Sequence, residues 1–183
     1  MVRAFVAVEL PEELKRSLLS SLPEMRGVRA LDERVVHITL AFLGDVERGR
    51  LGALEERLDA IRLYPFEVSF RGAGLIGSHG HAVLHASVET GADALSTLSS
   101  AVREACSASG IALEDRRFLP HMTVGRISDL SKCDSKLREF VKASLNRLAG
   151  SFMCGSFWLE SSVLTPSGPF YTRLHEVRLR GWQ

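Results

Sequence analysis

The sequence predicts an α+β fold with two similar lobes from an internal duplication, each a mainly antiparallel sheet backed by helices. Strand-like and helix-like segments follow one another in the same order in both halves. A His-x-Thr-apolar motif stands in the corresponding strand of each half, at residues 37–40 and 121–124. No linker or low-complexity segment separates the halves. Residues 1–183 are therefore predicted to form a single bilobal domain.

The first half reads as strand, helix, motif strand, helix and two further strands. Its first strand is mostly apolar, and the next segment carries apolar residues at helical spacing with acidic residues in its first turn. The second helix places Leu51, Leu54, Leu58 and Ile61 on one face. The turn-rich stretch GSHGH separates the last two strands. The strands are predicted at 3–10, 34–46, 66–77 and 81–89, and the helices at 11–25 and 47–62.

The second half repeats this order, beginning with the strand at 81–89. Its helices are predicted at 91–110 and 135–150, and its later strands at 119–127, 156–165 and 172–181. If the lobes pack about a pseudo-two-fold axis, the two motif strands come face to face. We therefore expect an active-site groove between the lobes.

Composition describes an ordinary globular protein with no overall charge to attract polyanions. The chain has 23 basic and 22 acidic residues, so any phosphate binding has to be local. No apolar run approaches transmembrane length, and Glu9 and Pro11 interrupt the amino-terminal segment before a signal peptide could form. The three cysteines have no Cys-x-x-Cys spacing, which argues against disulfides and zinc. A cytoplasmic location is predicted, with no membrane partner.

Each motif presents a histidine and a threonine on one face of a strand, because side chains two apart share a face. Thr39 follows His37, and Thr123 follows His121, two residues later in each case. The opposite face of each strand is predicted to enter the core. These core-facing residues are Val36, Ile38, Leu40 and Phe42 in the first copy, and Met122 and Val124 in the second.

Two imidazoles and two hydroxyls suit in-line attack on a phosphodiester. A neutral imidazole accepts a proton from the nucleophile, an imidazolium donates one to the leaving oxygen, and hydroxyls bind the non-bridging oxygens. Histidine fits both tasks because its ordinary pKa of about 6.5 leaves both forms accessible. Neither motif brings the carboxylates of a two-metal site. The scheme therefore needs no metal or cofactor.

The paired motifs resemble those of the two-histidine (2H) phosphoesterases, in the branch of RNA 2′,3′-cyclic phosphodiesterases, also called 2′-5′ RNA ligases. The resemblance extends over RAFVAVELPEEL, HITLAFLGDV, FLPHMTVGR and SSVLTPSGPFYTRL. It implies that the protein opens 2′,3′-cyclic phosphate ends of RNA, such as those of tRNA fragments, to 2′-phosphates. His37 would donate a proton to the departing 3′ oxygen, and His121 would activate water. An RNA 5′-hydroxyl in place of water would give 2′-5′ ligation.

Other residues are secondary candidates for substrate binding. Arg126 could clamp phosphate, but its strand parity points it to the core unless the strand ends or bulges first. Phe42 stands at the equivalent place and could stack on a base or pack in the core. Arg116 and Arg117 could attract RNA or form a solvated pair, which we favour. Tyr171 lies in a turn-containing segment that the resemblance puts beside the groove.

Three further histidines, His79, His81 and His85, share strand parity and could mimic a metal cluster. No acid or cysteine accompanies them, so we predict no metal site there. His175 is predicted to be structural or exposed.

Two alternatives to an RNA-end hydrolase remain open. An RNA-end or nucleotide binding module would use the same polar groups without turnover. A phosphodiesterase for a small cyclic nucleotide would fit the near-neutral charge, since extended RNA binding usually leaves a basic stripe. The protein is expected to act as a monomer.

Overall fold

The computed structural model describes residues 1–78, 81–166 and 168–181. Its strands are β1 (Val2–Val8), β2 (Val28–Ala30), β3 (Ile38–Val46), β4 (Phe66–Ser78), β5 (His81–Val88), β6 (His121–Ile127), β7 (Leu148–Cys154), β8 (Ser156–Thr165) and β9 (Gly168–Arg178). Its helices are α1 (Glu12–Ser20), α2 (Arg48–Asp59), α3 (Ala92–Ala108) and α4 (Ser135–Ser144). Short 3-10 turns at Glu33–Val35 and Leu130–Lys132 stand before β3 and after β6.

The strands form two antiparallel sheets, which confirms the predicted α+β class. Sheet A has the order β3-β1-β8-β9, and sheet B has the order β2-β6-β5-β4-β7. The orders β3-β1-β8-β9 and β6-β5-β4-β7 correspond strand by strand, in keeping with the repeat read from the sequence. However, neither sheet is built from one continuous half, because β1 pairs with β8 from the end of the chain. β5 pairs with β4 from the first half in the same manner.

The helices, like the strands, do not divide between the sheets by halves of the chain. α2 and α3 contact β9 and β3 of sheet A, whereas α1 and α4 contact β7 and β4 of sheet B. Each sheet therefore receives one helix from each half of the chain. No helix within the described ranges is long and apolar enough to cross a bilayer.

Two strands differ from the prediction. β2 is a short edge strand that was not predicted, and it pairs with β6. The predicted helix at 135–150 ends at Ser144, and β7 begins at residue 148 instead. Pairing of β7 with β4 supplies backbone hydrogen bonds that compete with helix continuation.

Candidate active site

The His37 ring lies between two aromatic side chains. It stacks on Phe5 with 4.9 Å between ring centroids, and it meets Tyr171 in an edge-on contact at 5.4 Å. Phe5 and Tyr171 also contact each other at 4.8 Å. Tyr171, a secondary candidate from the sequence, therefore lies at the site. This packing fixes the imidazole immediately before β3 and removes much of it from water.

Burial keeps the His37 imidazole neutral in the free protein. Burial lowers its pKa to about 4, the Lys15 and His121 charges also lower it, and the Glu9 carboxylate opposes them. Nε2 of His37 lies 2.9 Å from Oγ1 of Thr39. Nδ1 is buried and meets no described group in ideal hydrogen-bond geometry, while a hydrogen bond with the Val35 backbone raises the pKa of the ring. The nitrogen next to Thr39 is therefore the one available for proton transfer.

His121 is held in one tautomer by the backbone. Its Nδ1 lies 2.6 Å from the carbonyl oxygen of Leu119. A carbonyl oxygen only accepts hydrogen bonds, so Nδ1 carries the proton and Nε2 of the neutral ring keeps its lone pair. Thr123 follows on the same face of β6, partly exposed.

The two motif strands lie together at the junction of the sheets. β3 contacts β6 across this junction. A positive charge on His121 disfavours protonation of His37, so the two imidazoles act on one another electrostatically. The two motif strands, which carry His37 with Thr39 and His121 with Thr123, are therefore close together in the fold.

Matching bulges turn Phe42 and Arg126 onto the site face. In the pairing of β1 with β3, Leu40 is an extra residue after Thr39. In the pairing of β5 with β6, Val124 is extra at the equivalent place. Each bulge shifts the alternation of side chains by one residue. The prediction that Phe42 faces the core is therefore wrong, since its side chain is 71% exposed. Arg126 is exposed as well. The sequence analysis allowed Arg126 to reach the groove only if its strand bulged, and the strand does bulge at Val124.

His85 is a site neighbour that the sequence did not assign. It lies opposite Thr123 in the β5–β6 pairing, and its ring meets that of His121 edge-on at 5.4 Å. The ring is 8% exposed and packs on Gly74, where a Cβ would come within 2.7 Å of its Nε2. Burial lowers its pKa. The ring contact places His85 directly against His121.

None of the ring contacts or hydrogen bonds of His37 and His121 in the described part of the chain involves His81, His175 or the arginine pair. His81 is exposed at the start of β5, and His79 lies outside the described residues. No group of three metal-ligating side chains is present in the part of the chain that the structure describes. His175 contacts Asp59 at 2.9 Å and so links β9 to α2. Arg116 and Arg117 are exposed and precede β6.

A mostly buried group of charges lies near His37. Lys15 donates to the Glu9 carboxylate at 2.6 Å, and Arg173 approaches the same oxygen at 3.5 Å. Glu160 is 3% exposed, and burial together with Glu9 raises its pKa to about 7. These groups were not identified from the sequence, because Glu9, Glu160 and Arg173 are brought together only by the pairing of β1 with β8 and of β8 with β9.

Two His-x-Thr strands from two antiparallel sheets, meeting with both imidazoles in one site, define a two-histidine phosphoesterase. The comparison with protein families gives the finer assignment. The chain belongs to the 2′-5′ RNA ligase superfamily, whose model matches residues 10–163. This range includes both motifs.

Named relatives and solved structures agree with this assignment over nearly the whole chain. The RNA 2′,3′-cyclic phosphodiesterase of Archaeoglobus fulgidus is 32% identical over 177 residues, covering 94% of this chain and 98% of the relative. The protein of the same name from Methanothermobacter thermautotrophicus is 34% identical over 185 residues, covering 97% and 99%. A crystal structure from Thermus thermophilus is 30% identical with a TM-score of 0.75, covering 99% and 100%. E. coli LigT, at 24% identity, TM-score 0.78 and 98% coverage of both chains, shares the fold.

Proposed function

We propose that this protein hydrolyses 2′,3′-cyclic phosphate ends of RNA to 2′-phosphates by metal-independent acid–base catalysis. The observation that carries the proposal is the pair of histidines, each of which presents Nε2 at the same site. His121 has a fixed tautomer with a free Nε2, and His37 presents Nε2 beside Thr39 in the same site. One imidazole is thus arranged to accept a proton and the other can donate one. Several relatives that bear the name RNA 2′,3′-cyclic phosphodiesterase support this reaction.

The reaction begins with attack of water on phosphorus, in line with the bond to the 3′ oxygen. Nε2 of His121 takes a proton from the water as the new phosphorus–oxygen bond forms. The bond to the 3′ oxygen breaks, and His37 gives its Nε2 proton to that oxygen. The products are a 2′-phosphate and a 3′-hydroxyl. His121 then holds the proton that His37 has lost, and exchange with solvent restores both.

His37 has to be protonated for this role, although it is neutral in the free protein. A bound phosphodiester brings a negative charge next to the imidazole, which favours the imidazolium and opposes the effect of burial. Substrate binding is therefore coupled to proton uptake at His37. The aromatic contacts with Phe5 and Tyr171 hold the ring in place in both states.

The remaining site residues are proposed to bind the substrate. The hydroxyls of Thr39 and Thr123 donate to the non-bridging oxygens, where negative charge builds up in the transition state. The Arg126 guanidinium binds phosphate from the same face of β6. Phe42, exposed beside Phe5 with 6.5 Å between ring centroids, provides a surface on which a base stacks. We expect a monomeric cytoplasmic enzyme, for which tRNA fragments are one source of such ends.

The first test is hydrolysis of a short RNA with a 2′,3′-cyclic phosphate end in the presence of a chelator. Formation of a 2′-phosphate is expected, and added RNA 5′-hydroxyl ends should reveal any 2′-5′ ligation. Binding of such ends without any opening would support the binding-module alternative. Opening of free cyclic nucleotides alone would assign the activity to small substrates.

The roles of the two histidines can be separated with an aryl phosphodiester whose nitrophenolate group leaves without a proton. Replacement of the acid should then have little effect on the rate, whereas replacement of the base should remain harmful. We expect His37→Ala to hydrolyse the aryl substrate within about tenfold of the wild type and His121→Ala to lose about 10²-fold or more. The reverse order would exchange the two roles.

A further inference from the structure

A cavity of about 370 Å³ lies beside the histidine site. Its lining includes Arg29, Arg126, Phe170 and Tyr171. Tyr171 also meets the His37 ring at 5.4 Å, so this residue is shared by the cavity and the active site. The cavity therefore lies next to His37.

Two guanidinium groups enter the cavity from neighbouring strands. Arg29 on β2 lies directly opposite Arg126 on β6, and both side chains are exposed on the same face. Like charges directly opposite in an antiparallel pair destabilise it. Within the described ranges, neither guanidinium forms an ion pair or hydrogen bond with a protein group. An anion between them would remove this repulsion.

The acidic side chain in the described lining of the cavity is already paired with another arginine. Asp32 lines the same cavity, but both of its oxygens accept hydrogen bonds from Arg34 at 2.8 Å. These hydrogen bonds lower the pKa of Asp32 to about 2, so its charge persists and stays engaged with Arg34. The positive charge of the Arg29–Arg126 pair is thus left for a ligand, and guanidinium groups are well suited to phosphate.

An aromatic side chain lies on another wall. Phe170 on β9 is 63% exposed, although it stands next to Tyr171, which is partly buried. An exposed aromatic ring beside paired arginines combines the two features with which proteins bind single-stranded nucleic acid, a cationic groove for the backbone and a ring for base stacking. The cavity therefore has a place for a phosphate and a place for a base.

We propose that this cavity binds the nucleotide that precedes the terminal one, with Arg29 on its phosphate and Phe170 against its base, so that the preferred substrates are RNA chains. The inference rests on the proposed function, since it takes the cyclic phosphate to lie at the histidines. A free cyclic mononucleotide has only that phosphate, whereas an RNA chain has a second one on the other side of its terminal nucleoside. Arg126, between Arg29 and Thr123, borders both positions.

The test compares kcat/KM for a 2′,3′-cyclic mononucleotide and for a trinucleotide with the same cyclic end. The wild type should prefer the trinucleotide by roughly tenfold or more, as expected for one charged hydrogen bond plus one stacked base. Arg29→Gln should lower kcat/KM for the trinucleotide by roughly tenfold and leave the mononucleotide within about twofold. Phe170→Ala should have the same selective effect.

Salt dependence gives an independent measure of the phosphate contact. Each phosphate contact on a single strand contributes about 0.7 to the slope of log affinity against log salt. Arg29→Gln should reduce this slope by about 0.7 for binding of the trinucleotide and leave it unchanged for the mononucleotide. Arg57→Gln, an exposed position on α2, makes the same change in net charge and should alter neither.

Each outcome bears on one hypothesis. If the wild type opens both substrates with equal kcat/KM, the second nucleotide site is refuted and the proposed function stands. If it opens neither, the proposed function itself fails. Equal losses on both substrates in Arg29→Gln would assign Arg29 to the cyclic phosphate and overturn the inference. If Arg57→Gln lowers kcat/KM for the trinucleotide by the same factor as Arg29→Gln, the preference is an effect of overall charge. The inference would then be overturned as well.

Discussion

Burial of the His37 imidazole should make the stability of the protein depend on pH. Its pKa falls from 6.5 to about 4, mainly because burial penalises the charged ring. Below about pH 6.5 the unfolded chain binds a proton that the folded chain refuses until about pH 4. The contribution of the neutral ring is therefore complete above about pH 6.5 and is lost as the pH falls towards 4.

The size of the effect follows from the two pKa values. The gap of about 2.5 between them corresponds to a full loss of about 3 kcal/mol. At about pH 5 most of the unfolded chains carry the proton and few of the folded ones do, so the loss is about 2 kcal/mol. This is a large part of the stability of an ordinary domain.

The assay is urea unfolding of the wild type and of His37→Gln at about pH 7.5 and about pH 5. Glutamine keeps a polar side chain at this position but does not titrate. The free energy of unfolding of the wild type should fall by about 2 kcal/mol more than that of the variant over this interval. His85 titrates in both proteins, so its contribution cancels. Equal pH dependence of the two proteins would refute the reasoning.

Three further predictions concern catalysis and packing. The rate should follow a bell in pH, because one of His37 and His121 has to be protonated and the other neutral, and a flat kcat/KM profile between about pH 5 and 8 would contradict paired histidine catalysis. A chelator should leave the hydrolysis rate within about twofold, whereas inhibition reversed by a divalent ion would contradict the metal-free scheme. Gly74→Ala should lower the free energy of unfolding by about 1 to 3 kcal/mol, since its Cβ would come within 2.7 Å of His85 Nε2. Both variants are compared with the wild type by thermal unfolding. The control Gly52→Ala, on α2 where a Cβ has open space, should raise the free energy of unfolding by about 0.5 to 1 kcal/mol. If Gly74→Ala is as stable as the wild type, Gly74 has no packing role against His85.

The sequence was informative wherever a side-chain pattern alone determines the structure. The alternation of polar and apolar residues placed Ile38 and Leu40 in the core, and both are buried. Repetition of the His-x-Thr motif predicted two equivalent motif strands, and these are β3 and β6, which contact each other. Each of these inferences needs only the periodicity of a strand.

Features that depend on pairing between strands could not be predicted from the sequence. The bulges that turn Phe42 and Arg126 outward arise from the register with β1 and β5, which a single strand does not encode. The same holds for His85, whose contact with His121 follows from the pairing of β5 with β6. The pairing of β1 with β8 likewise joins segments that are far apart in the sequence.

The central claim is that His37 and His121 act as one acid–base pair on a 2′,3′-cyclic phosphate. Single-turnover opening of a cyclic-phosphate RNA should be measured for the wild type, His37→Ala, His121→Ala and the double variant. Each single substitution is expected to lower the rate by roughly 10²-fold or more, and the double variant should be at most about tenfold slower than the singles, because paired groups act as a unit. A single variant that keeps nearly the wild-type rate, or losses that multiply in the double variant, would contradict the account.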